Sequence, residues 1–321
     1  MPLRAWALLA VLSVASVASV AKAASSFEAR FDVAWRLVAE RYWDLSVMAV
    51  DWDEARERFR PEALDASDED AFFDVLERMY EAIGDDHTVY VRPSQVAAFR
   101  ERFGDLPCLG VFGASADDTE APHLPPEATM RSGPVAYGLL RSATGYVRVA
   151  DLVQDGTAGG VRAAIDDLLA LGAEAFVLDL RGNPGGRLVT MMQVAGVFTG
   201  GFLWRAVTNW SLPIPYPAIG VTLTDAPLAI LVDGDVNSAA EGLAGALQQR
   251  GRALVVGATT AGNVEAILPF CLRDGSQAWV ATGVLAPIGG PTWEGRGVTP
   301  DVASAPDDAL RAALEALGRR P

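Results

Sequence analysis

Residues 226–252 read APLAILVDGDVNSAAEGLAGALQQRGR. Five apolar residues in a row, 228–232, have the pattern of a strand buried on both faces, and they stop at Asp233-Gly234-Asp235. Asn237-Ser238-Ala239-Ala240-Glu241 then opens a segment rich in Ala, Leu and Gln, all good helix formers. The pattern predicts a strand, a tight turn and a helix, with Ser238 on the helix's first turn. Backbone N–H groups there have no intrahelical partner and favour negative charge. A serine so placed sits beside the kind of cradle that an acyl-transfer oxyanion needs. The same residues also fit a plainer reading. Ser238 and Glu241 have the spacing of a capping box, which contributes about 1 kcal/mol and needs no chemistry.

Outward from this unit the chain alternates strands and helices. Residues 145–149 alternate as a strand does, 158–171 form an amphipathic helix, and 175–180 are a second buried strand. That strand runs into Arg181-Gly182-Asn183-Pro184-Gly185-Gly186, whose paired glycines let N–H groups come close to a ligand. No Gly-Lys-Ser/Thr follows, so it is not a phosphate loop. A helix over 187–198 and strands near 253–257 and 277–284 complete a layered α/β domain, residues 135–321. Ahead of it, residues 24–97 read as a small helical unit. Its third helix is capped at Ser67-Asp68, carries a stripe of Phe72, Val75, Leu76, Met79 and Ile83, and ends at Gly84. His87 therefore falls on the trailing loop, where a histidine can also serve merely to bond the last helix carbonyls. Residues 98–134, with three prolines around His123, read as a connector with little regular structure. The connector is too short for a further domain of ordinary size.

The chain has 321 residues, half of them hydrophobic, and a net charge of −15, which argues against nucleic acid or an anionic membrane as partner. Residues 1–23 have a positive start, an apolar run and Ala21-Lys22-Ala23, the pattern of a secretory signal peptide. The expectation is an exported protein, periplasmic or secreted, with no later membrane span. Lys22 is the only lysine in the chain. Cys108 and Cys271 are the only cysteines, and an oxidising compartment permits a bridge between them or two buried thiols. Neither lies in a metal-ligand cluster, and no metal or organic cofactor is implied.

The stretches GYVRV, FVLDLRGNPGG, LVDGDVNSAAEGLAGALQQRGRALVVG and WEGRGVTPDV occur in that order, after Gly84-Asp85-Asp86-His87-Thr88. Together they resemble the C-terminal-processing (tail-specific) serine protease family, which includes the tricorn core protease and the modules of interphotoreceptor retinoid-binding protein. The resemblance implies a ClpP/crotonase-like layered α/β fold and a serine peptidase acting on peptide or protein substrates. It implies Ser238 as nucleophile and the main-chain N–H groups of Gly186 and Ala239 as the oxyanion hole. The family's usual base is a lysine, and the matching position here is Asn263, which cannot accept the serine proton. With no lysine after Lys22, a Ser–Lys dyad is excluded. The tricorn-like branch uses histidine with a glutamate partner, which maps to His87 and Glu294. That branch has a serine before its histidine where this chain has Asp86, so Asp86 is a second possible orienter; Glu265 is a weaker alternative carboxylate. The peptide-gripping PDZ domain usual in tail-specific enzymes does not fit in the connector. The other reading is a non-catalytic ligand- or protein-binding member of the same fold, like the retinoid-binding modules.

Overall fold

The computed structural model describes residues 27–85, 87–103, 124–209 and 211–318. The expected signal peptide, Asp86, Cys108 and His123 lie outside the described residues. Three helices come first: α1 (Phe27–Arg41), α2 (Trp52–Leu64) and α3 (Glu69–Glu81). Asp51 caps α2 by accepting from the N–H groups of Asp53 and Glu54, and Asp68 caps α3 by accepting from Ala71. Their apolar stripes meet in one cluster around Phe31, Phe59, Phe72, Leu76 and Met79, which also takes in Ala278, Val280 and Ala281 of a later strand. The helical unit is thus seated on a sheet. The loop leaving α3 runs straight into that sheet as β1 (Val89–Val91).

Helix α4 (Val96–Phe103) and β2 (Met130–Ser132) fall in the stretch expected to be irregular. β2 reads poorly in sequence because it is a three-residue edge, paired antiparallel to β3 (Val135–Leu140). The α/β part continues through β4 (Thr144–Arg148), α5 (Thr157–Ala170), β5 (Ala175–Asp179), α6 (Leu188–Phe198), β6 (Phe202–Val207) and β7 (Ile214–Pro217). The opening stretch gives β8 (Leu228–Val232) and α7 (Ala239–Gln249); β9 (Leu254–Gly257), β10 (Glu265–Cys271), β11 (Gln277–Pro287), β12 (Val302–Ala303) and α8 (Ala309–Ala316) follow. Seven strands form one sheet in the order β12-β9-β8-β5-β4-β3-β2, parallel from β12 to β4. Helices α5, α6 and α7 cover one face with the main core, and α8 covers the other.

The second sheet, antiparallel, has β1-β11-β6-β7 with β10 also on β11. Sequence reading misses β6 and β7, since Pro215 and Pro217 look like loop residues; β7 tolerates them because it is an edge strand. The fold is the layered α/β class with helices leading it. What positions the site is that β8, β5 and the second sheet all end around the start of α7.

Candidate active site

Ser238 has φ 54° and ψ −124°, and Ala143 is the only other non-glycine residue with positive φ among the described residues. An N-cap normally has extended backbone, so capping alone does not account for this conformation. Such strain costs on the order of 1–3 kcal/mol and must be held from outside. Here the Ser238 N–H donates both to the Asn263 carbonyl (2.9 Å) and to Glu241 Oε2 (3.0 Å). Glu241 is fully buried and also accepts from the N–H groups of Gly262 (2.6 Å) and Asn263 (2.9 Å) and from the Thr260 hydroxyl (2.5 Å). Burial pushes its pKa up, against the pull of those four hydrogen bonds. The capping glutamate thus fixes the 260–263 loop against the helix start. A sharp, strained strand-to-helix turn that projects a serine is nucleophile-elbow geometry.

The glycine turn lies against this elbow. At Gly185 (φ +97°) a Cβ would stand 2.7 Å from Ser238 Cβ, and at Gly186 (φ +145°) one would stand 2.3 Å from the Leu152 carbonyl carbon. Both positions therefore exclude side chains. Asn183 shapes the turn, its amide donating to Val149 O and its side-chain oxygen accepting from Gly185 N–H (2.8 Å). Its carbonyl takes the Asn237 N–H, and Asp233 accepts from Gly182 N–H, which ties the two turns together. Neither the Gly186 nor the Ala239 N–H has a protein acceptor among the described residues. Gly186, Ser238 and Ala239 line a cavity of about 50 Å³ with Leu188, Ala206, Tyr216, Glu265, Ala266 and Leu285.

His87 is held by Asp85, whose Oδ1 accepts from the N–H groups of His87 (2.9 Å) and Thr88 (2.5 Å). The carboxylate on its ring belongs to Glu265: His87 Nδ1 to Glu265 Oε2 is 3.0 Å. A carboxylate only accepts, so Nδ1 carries a proton, and in the neutral ring Nε2 keeps its lone pair. Burial opposes a charged ring, but the Glu265 hydrogen bond and charge, with Asp85 and Glu294 behind them, outweigh it and hold the pKa above its ordinary value. Glu265 is buried, and its Oε1 accepts from the Trp43 indole at 2.8 Å.

Glu294, the partner expected from the resemblance, does not bond His87. Its Oε2 accepts from Val264 N–H (2.7 Å), which turns it toward the 260–264 loop. Burial, then the charges of Glu265 and Glu241, push its pKa up to about 7 against the Val264 hydrogen bond and His87. The difference has a simple cause. Strand β10 alternates, with Glu265, Ile267 and Pro269 buried, and Glu265 starts that buried face beside His87. No hydrogen bond joins His87 to Ser238 among the described residues. A cleft of about 450 Å³ is lined by Trp43, Asp85, Asn263, Glu265 and Glu294 among others, so Glu265 forms a wall common to it and to the Ser238 cavity. Glu241, Trp43 and Asn183 are contributors that the sequence reading did not identify for these tasks; only Glu241 carried a signal, as a cap.

Residues 143–304, half of the chain, match the family model described as peptidase family S41. The chain belongs to peptidase family S41. Residues 23–81 of this S41 member match the Tricorn protease C1 domain model. A carboxyl-terminal-processing protease of Picosynechococcus sp. is 37% identical over 133 residues, 41% of this chain and 32% of the relative. The chloroplastic carboxyl-terminal-processing peptidase 3 of Arabidopsis thaliana is 34% identical over 140 residues, 43% of this chain and 27% of the relative. The chain thus spans about a third or less of these curated relatives. Among solved structures, a photosystem II D1 C-terminal processing protease has the same fold, with a TM-score of 0.70 at 23% identity over 92% of this chain and 98% of that one.

Proposed function

We propose that this S41 member is a serine peptidase that uses histidine, not lysine, as its base. Ser238 Oγ attacks the substrate carbonyl while its proton passes to His87 Nε2. The imidazolium that forms is stabilised by Glu265 through Nδ1. The tetrahedral oxyanion is held by the N–H groups of Gly186 and Ala239, free to accept that charge. Collapse expels the amine, which takes the proton from His87, and water then releases the acyl group by the same steps in reverse. The cavity of about 50 Å³ beside Ser238 suits a small apolar side chain on the acyl side of the cleaved bond. Glu294 stands behind Glu265 as a second carboxyl group, its pKa pushed up to about 7.

What carries the reading is the strained backbone of Ser238 in a cavity it shares with two N–H groups that no acceptor engages among the described residues. The lack of a direct Ser238–His87 hydrogen bond is compatible with it, since such bonds often tighten only with substrate in place. Substrates are peptides or proteins. Export is part of the proposal and rests on the leader pattern of residues 1–23. No helix among the described residues is long and apolar enough to cross a membrane.

Asn263 at the lysine position and the open Ser238–His87 pair are what a non-catalytic binding module of this fold would also show. Fluorophosphonate decides between the two. A peptidase incorporates one label, mapped to Ser238 and lost in Ser238→Ala; a protein that stays unlabelled for hours at pH 8 is a binding module.

A further inference from the structure

We infer that Trp43 is a positioning residue for this chemistry: its indole fixes the rotation of the Glu265 carboxylate so that Oε2 faces His87 Nδ1. Within the peptidase reading this makes Trp43 part of what sets the strength of the base, although Trp43 touches neither Ser238 nor His87 through a hydrogen bond. Glu265 ends in a torsion with broad, roughly two-fold preferences, so a carboxylate held at one oxygen is free to swing. Here it is held at both. Trp43 Nε1 donates to Oε1 at 2.8 Å, and His87 Nδ1 meets Oε2 at 3.0 Å. The indole offers a single N–H on a rigid plane, so it fixes one orientation of the acceptor.

The mounting of Trp43 supports this. Its backbone N–H donates to the Ala281 carbonyl at 3.0 Å, which pins the residue to β11. Strand β11 is also the partner of β10, with Glu265 opposite Val284 and Ile267 opposite Ala281. Trp43 follows α1 and His87 follows α3, so the helical unit grips the Glu265 carboxylate from both sides when it seats on the sheet. Among the described residues, the charged groups facing His87 are Glu265 from β10, Asp85 from its own loop and Glu294 from the loop after β11. Of these only Glu265 bonds the ring, and its other oxygen is where Trp43 acts.

The test uses the full mature chain and the His87 ring itself. The sequence holds two histidines, so nitrogen NMR of ¹⁵N-histidine protein follows His87 with one neighbour signal to assign. Trp43→Phe removes the donor and keeps an aromatic ring; Trp43→Gln loses more packing but carries an N–H₂ the same number of bonds from Cβ. The expected result is a lower His87 pKa in Trp43→Phe and recovery toward the wild-type value in Trp43→Gln, an order that loss of packing cannot produce. Fluorophosphonate labelling of Ser238 should slow roughly 5-fold in Trp43→Phe, the effect of one hydrogen bond of about 1 kcal/mol. The same substitution in a Glu265→Ala background, which has no carboxylate to orient, should add nothing. An unchanged His87 pKa in folded Trp43→Phe, or an equal fractional loss of labelling in both backgrounds, overturns the inference. The NMR arm reads the positioning whether or not Ser238 reacts, so failure of the peptidase reading is seen separately.

Discussion

Replacing Glu265 by Gln tests which carboxylate serves His87. In the folded chain two donors converge on Glu265, the Trp43 indole at 2.8 Å and the His87 ring at 3.0 Å. A carboxylate accepts both; an amide has one oxygen, so Glu265→Gln must set its N–H₂ against one of them. Losing a hydrogen bond to a charged group costs about 1.5–3 kcal/mol, and here the cost falls on the imidazolium formed as Ser238 reacts. At about 1.4 kcal/mol per decade, labelling of Ser238 by fluorophosphonate should slow roughly 10- to 150-fold. If the amide nitrogen faces Nδ1, the ring moves its proton to Nε2 and loses the lone pair that takes the serine proton. The loss would then approach the ~10⁴-fold seen when a triad carboxylate becomes an amide. The pH profile adds a second readout. Glu265 is the chief group raising the His87 pKa against burial, so the acid limb of the labelling rate should move to lower pH in Glu265→Gln. The assay is the second-order labelling rate followed by intact mass across pH 5–9. Wild-type rates in Glu265→Gln together with a large loss in Glu294→Gln would refute the assignment and restore Glu294 as the partner.

Three other outcomes follow from the geometry. Glu241→Gln sets an N–H₂ among four donors in a buried site, so it should lower stability by roughly 2–3 kcal/mol in urea unfolding and abolish Ser238 labelling. Gly185→Ala should do both as well: its Cβ meets Ser238 Cβ at 2.7 Å at a φ of +97°, and a cost of about 1 kcal/mol or more is expected from the backbone alone. Glu294 titrates near 7 in the fold against an ordinary 4.5. The folded chain therefore holds this proton more tightly than the unfolded one, and the stability that it brings is whole below pH 4.5 and lost as pH rises through 7. Glu294→Gln should accordingly melt higher than wild type at pH 8, by up to roughly 3 kcal/mol, with the two curves meeting near pH 4.5.

Much of this was legible in the chain. The runs of 228–232 and 175–180, each ending in a glycine-bearing turn, announce parallel strands feeding a site, and Ser238 and the Gly185-Gly186 pair stand out within them. His87 was legible as a loop residue after a capped helix. The carboxylate partner was not, because the choice between Glu265 and Glu294 is made by register. A strand beginning Glu265-Ala266-Ile267 puts the glutamate on its buried face, whereas Trp293-Glu294-Gly295 is held by Val264 N–H in a loop. The alternation of β10 was the available signal, and a charged first residue disguised it. Trp43 was illegible for a different reason: a partly buried tryptophan after a helix reads as core, and its partner lies 222 positions away. The second sheet was hidden by prolines that only an edge strand accepts, and Glu241 looked like an ordinary cap until its four donors were in view.

The central claim is that His87 activates Ser238, and the rate of fluorophosphonate labelling in His87→Ala against wild type at pH 8 tests it most directly. The account predicts a single label on Ser238 in wild type and a fall of roughly 10²-fold or more in His87→Ala, the size of effect general-base catalysis supplies. Equal labelling rates in the two proteins, with both folded, would contradict it.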